Sequence, residues 1–117
     1  MIPTLIAAVF VLGSSQARAA ASTNYDHAVT NGDGSVTLVE PRFEYLSKDY
    51  PIARNKSEDQ DFEGNGICML YGFFRFQWAE LAKSPSWNAT YPAIDPFGEF
   101  AGLIHASKVY RTITCSQ

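Results

Sequence analysis

Asp59, Asp61 and Glu63 stand at alternate positions ahead of Gly64, inside the stretch DQDFEGNGIC that runs from residue 59 to residue 68. Alternating carboxylates before a glycine resemble the opening of a calcium loop, where they take positions 1, 3 and 5 and the glycine takes the tight-turn position 6. Position 12, which supplies the bidentate carboxylate of an EF-hand, falls on Leu70. The chemistry on offer is a looser structural calcium site made from these three carboxylates with Asn65, set against a solvated acidic loop. Val29–Glu40, VTNGDGSVTLVE, fails at the other end: Asn31, Asp33, Gly34 and Glu40 suit the pattern, but Val29 brings no side-chain oxygen to its first position. Asn-Gly-Asp-Gly is equally the chemistry of a tight hairpin turn, and a turn is the expectation there.

Catalytic groups are sparse. His27 and His105 could form an acid–base pair of the kind used by small secreted nucleases, although no spacing brings them together. There is no Gly-x-Ser-x-Gly elbow, no His-Glu-x-x-His helix and no Cys-x-x-Cys pair. Carboxylates suited to a glycosidase are available among the 12 acidic residues, but nothing in their spacing selects a pair. Aromatic residues offer a binding surface instead. Trp78, Trp87 and Tyr91 flank the Ser84-Pro85-Ser86 break, where an exposed ring could stack on a sugar or an apolar partner. Core filling is the competing use of such large rings in a small domain, and it is the stronger expectation.

Two cysteines, Cys68 and Cys115, read as one disulfide in an exported chain. Closing that interval stabilises a fold by roughly 4 kcal/mol through loss of unfolded-state entropy. Export itself is suggested by the N-terminus. Leu5 to Leu12 is an apolar run of signal-peptide length, and Ala17-Arg18-Ala19 supplies the small-x-small cleavage pattern. Residues 1–20 are therefore expected to be a signal peptide cleaved after Ala19 to Ala21, leaving one domain over 21–117 that is secreted or periplasmic. Without Arg18, the 9 Lys+Arg become 8 against 12 Asp+Glu, a net charge of 8 − 12 = −4. Dispersed basic residues and a negative balance argue against nucleic acid as a partner. No later segment is apolar enough to suggest a membrane span.

The elements that must position these residues are legible in part. SVTLV, Ser35–Val39, follows a turn signal and reads as a strand. Arg42–Asp49 suits a short helix or a strand equally. Arg54–Gly66 is hydrophilic and is expected to be a surface loop, with Asn65 capping a one- or two-turn helix that buries Ile67, Cys68, Leu70 and Tyr71 and stops at Gly72. Phe73–Trp78 is expected to be a strand with Phe74, Phe76 and Trp78 on one face. Tyr91–Ile94 and Glu99–Ile104 flank Asp95-Pro96-Phe97-Gly98, whose Asp, Pro and Gly suit a type I turn. Lys108–Cys115 is a final strand, with Val109, Ile113 and Cys115 sharing a face and Arg111 the odd member.

The fold class implied is α+β: a small antiparallel sheet with one short helix, stapled by the disulfide. ICMLYGF, Ile67–Phe73, resembles the Cys-x-x-Leu-Gly-Tyr helix segment of scavenger-receptor cysteine-rich domains, extracellular ligand-binding modules with a curved sheet around a helix. That likeness covers seven residues, has Tyr71 where the family has Leu, and lacks the family's other cysteines. Asn55-Lys56-Ser57 and Asn88-Ala89-Thr90 are glycosylation sequons. The expected function is binding of a protein or glycan surface without catalysis or a cofactor, a structural calcium ion being the one alternative to that absence. A small secreted hydrolase, nuclease- or glycosidase-like, and an extracellular calcium module are the alternatives.

Overall fold

The computed structural model describes residues 27–117; the candidate leader over 1–20 lies outside the described residues. Within them the order is β1 (Ala28–Thr30), β2 (Val36–Val39), β3 (Arg42–Tyr45), β4 (Lys48–Pro51), α1 (Gln60–Leu70), β5 (Phe76–Lys83), β6 (Thr90–Ile94), β7 (Phe100–His105) and β8 (Lys108–Cys115). One antiparallel sheet has the order β1-β2-β8-β5, and two further ladders pair β3 with β4 and β6 with β7. This is a small α+β domain, mostly β.

Local chemistry explains three of the turns. Asn31 to Gly34 closes the β1–β2 hairpin, with the Gly34 amide donating to the Asn31 carbonyl at 3.0 Å. Asp33 Oδ1 accepts from the Ser35 hydroxyl and amide, which holds this carboxyl below its usual range. The Asp95–Gly98 turn forms as its residue types require. Gly98 donates to the Asp95 carbonyl at 3.0 Å with φ 86°, while Asp95 Oδ1 accepts from the amides of Phe97 and Glu99. Arg42–Asp49 resolves as a hairpin rather than a helix. Its turn places Leu46 at φ 52° and Ser47 at φ 67°, the paired positive values of a type I′ turn without its usual Asn-Gly.

Two bulges decide what faces the core. Phe76 pairs with Cys115 but Trp78 pairs with Thr114, so Gln77 is an extra residue that reverses the alternation of β5. Phe76 consequently packs inward and Trp78 outward, against the expectation of a shared face. The strand also starts three residues later than Phe73–Trp78 implied, and Phe74 is left exposed. On β8, Glu80 and Leu81 pair with Thr112 and Tyr110, which makes Arg111 the extra residue. Tyr110 thereby joins Ile113 and Cys115 in the main core, and Val109 packs in a second cluster with Ala53 and Tyr91.

The largest correction concerns Arg54–Gly66. Its second half is helix, beginning at Gln60, with Asp59 rather than Asn65 as the N-cap: Asp59 Oδ1 accepts from the Asp61 amide at 2.8 Å. The C-terminus ends as expected. Gly72 at φ 85° donates to Met69 O, and the Phe73 amide reaches back to Cys68 O at 2.8 Å, the paired bonds of a Schellman motif. Ile67, Cys68, Leu70 and Tyr71 are buried as expected. The Cys68–Cys115 disulfide, Cα–Cα 5.8 Å, ties this helix to the central strand β8.

Gly64 and Gly66 lie inside the helix because neighbours leave no room for a side chain. A Cβ at Gly64 would enter the Phe76 ring, and one at Gly66 would fall inside contact distance of the Asp95 carbonyl. Alanine gains about 1 kcal/mol of helix propensity over glycine. Overpacking typically costs about 1–3 kcal/mol, and more where backbone must move. Gly66→Ala should therefore be strongly destabilising in urea melts, and clearly worse than Gly64→Ala, whose neighbour is a side chain rather than backbone. A neutral or stabilising Gly66→Ala would contradict this packing.

Candidate functional site

Only one of the three acidic residues faces inward. Asp59 is spent on capping, Asp61 is exposed on the first turn, and Glu63, one turn along, is fully buried. Arg54 Nη1 and Tyr110 Oη each donate to Glu63 Oε1 at 2.8 Å, and the Asn55 amide donates to Oε2 at 3.0 Å. Arg54 Nη1 also donates to the carbonyls of Asn55 and Glu58, so the guanidinium pins the segment that leads into the helix. Burial pushes the Glu63 carboxyl up, against the lowering effect of the Tyr110, Asn55 and Arg54 bonds. Burial and the neighbouring carboxylate push the Tyr110 phenol up as well. The carboxylate itself is fully buried and accepts from each of these donors, so its chemistry is structural. Asp59, Asp61 and Glu63 do not gather as ligands. Among the described residues no three His, Cys, Asp or Glu side chains are placed to hold a metal ion.

The expected aromatic trio divides. Trp78 is 50% exposed on the outer face of the sheet and Trp87 is 86% exposed, whereas Tyr91 is buried. Core filling therefore accounts for one ring of the three. Tyr91 serves Trp87 indirectly, since its hydroxyl accepts from the Ser86 amide at 2.9 Å and fixes the loop beside the exposed indole.

Trp87 lines an open cleft of about 500 Å³ together with Lys83, Ser84, Ser86, His105 and Ser107. The cleft forms where the β5–β6 loop meets the short β7–β8 connection. The Ser84 amide joins the two by donating to the Ser107 carbonyl at 2.9 Å. Ala106 of its wall packs against the second apolar cluster of Ala53, Tyr91 and Val109. An exposed indole face, three hydroxyls, an ammonium and an imidazole form a wall suited to a polar ligand that has one apolar face. The sequence does not mark His105 and Ser107 as members of such a surface, because strand pairing brings them there: Thr90 with His105 in the β6–β7 ladder, and Lys83 with Lys108 in the β5–β8 ladder. His27 immediately precedes β1 of the larger sheet, while His105 ends β7 in a separate ladder, so no strand pairing joins the two histidines.

No protein-family model, curated protein or solved structure matches this chain. Among the described residues no helix is long and apolar enough to cross a membrane.

Proposed function

We propose that this chain is an exported, disulfide-stapled binding module that takes a glycan at the Trp87 cleft. One observation carries the reading: the Trp87 ring is 86% exposed on a loop held in place by Tyr91 and by the Ser84–Ser107 backbone bond. A large ring held out of the core costs solvation, and its contribution on binding is a rigid stacking surface with little entropy left to lose. Ser84, Ser86, Ser107 and Lys83 supply hydrogen-bonding groups at the edge of that surface. Export is supported by the Leu5–Leu12 run and by the disulfide, which belongs to oxidising compartments.

Trp87→Ala should weaken retention on immobilised oligosaccharides at least tenfold, the effect of losing about 1.4 kcal/mol. Its melting temperature should stay near that of the parent, because an exposed side chain contributes within about 0.5 kcal/mol to stability. Unchanged retention would overturn the glycan reading. His105 and Lys83 on the same wall favour a second reading, a small glycan hydrolase. New reducing ends that disappear in a folded His105→Ala variant would replace the binding module by that enzyme.

A further inference from the structure

Beside the Trp87 cleft lies a second hollow of about 300 Å³, and Lys83 and Pro85 line both. Arg42, Lys83 and Arg111 line the second hollow with one carboxylate, Glu40, among them. Three cations against one anion there contrast with a chain whose 9 Lys+Arg face 12 Asp+Glu. The concentration is a product of topology. Arg42 opens β3, Lys83 closes β5, and Arg111 is the bulge residue of β8 that the broken alternation turns out to solvent. Arg42 donates to the Asp49 carbonyl, and among the described residues none of the three cations makes an ion pair. Pro51, Ala82 and Val109 give the hollow an apolar component that lowers the local dielectric and strengthens the field of the charges.

Resting on the glycan reading of the Trp87 cleft, we infer that the ligand is an acidic oligosaccharide: one sugar ring stacks on Trp87, and the carboxylate of a neighbouring sugar sits among Arg111, Arg42 and Lys83. Guanidinium groups bind carboxylates through paired, charge-assisted hydrogen bonds, which an ester of the same sugar cannot accept with equal strength.

The test compares oligogalacturonate with its methyl ester by titration calorimetry on the full domain. The acid should bind at least about tenfold more tightly at low salt, and the preference should shrink as salt screens the charges. Arg111→Gln and Arg42→Gln should each remove several-fold of the affinity for the acid. Binding of the ester by the same variants reports that they are folded. Equal binding of acid and ester, or variants that lose neither, overturns this inference while leaving the glycan site standing. Failure of both saccharides to bind overturns both readings.

Discussion

Glu63→Ala should lower the unfolding free energy by about 3–5 kcal/mol, the usual cost of removing one partner from a buried ion pair. A domain of this size has only about 5–15 kcal/mol in total. The loss is concentrated because a single carboxylate answers three donors. Removing it leaves Arg54, whose side chain is 15% exposed, without its counter-charge, and leaves the Tyr110 hydroxyl and the Asn55 amide without an acceptor. Arg54 also holds the Asn55 and Glu58 carbonyls, so the approach to α1 should loosen with it. Urea unfolding measures the effect, and a loss under about 1 kcal/mol would show that water replaces the carboxylate.

The same residue gives a pH dependence of defined sign. Burial raises the folded-state pKa of Glu63 above the unfolded value. Its titration then contributes stability that is fully present below the unfolded carboxylate range and is lost as pH rises through the folded value. Glu63→Gln removes this titration, and with it one acceptor oxygen and the charge facing Arg54, neither of which varies with pH in the variant. The stability gap between parent and Glu63→Gln should therefore narrow as pH rises from about 4 toward neutrality. A gap that widens would mean that Arg54 and Tyr110 outweigh burial in setting the charge of Glu63.

Replacing Cys68 and Cys115 together by alanine should cost about 4 kcal/mol, from the entropy of a 47-residue loop released in the unfolded chain. Both half-cystines are fully buried in the main cluster with Ile67 and Ile113, so the packing cost adds to the loop term. Denaturant unfolding with and without reductant measures it on the parent protein. If reduction shifts the midpoint only slightly, the helix is held to β8 by packing alone.

Much of this fold is local in origin and was legible for that reason. Asp95-Pro96-Phe97-Gly98 specifies its turn through one carboxylate, one restricted φ and one residue free to take a positive φ. Gly72 ends the helix through the same freedom. The β2 strand follows from a run of β-branched residues after a turn. The cysteine pair follows from there being two cysteines in the chain. Leu46-Ser47 was not legible as a hairpin turn, because neither residue favours a positive φ and the pairing of Phe43 with Tyr50 imposes it. Stacking of both Phe43 and Tyr45 on Phe100 further anchors that hairpin to the β6–β7 ladder.

The acidic stretch separates the two kinds of information most clearly. Its residue types offered Asp59 as a calcium ligand or a solvated loop residue, and put Cys68 on a buried helical face; that Asp59 caps the helix came from the structure. Tertiary structure alone decided that Gly64 and Gly66 sit within a helix, since their use is to admit the Phe76 ring and the Asp95 carbonyl. It alone decided that Glu63 is a buried anchor, because Arg54 and Tyr110 come from segments 9 and 47 residues away. The bulges at Gln77 and Arg111 are likewise set by pairing between strands, and they turn Trp78 and Arg111 outward. Chain-local preferences and covalent chemistry are written in neighbouring residues. Which side chains meet is settled by packing between distant segments, where a single extra residue in one strand reverses every face that follows.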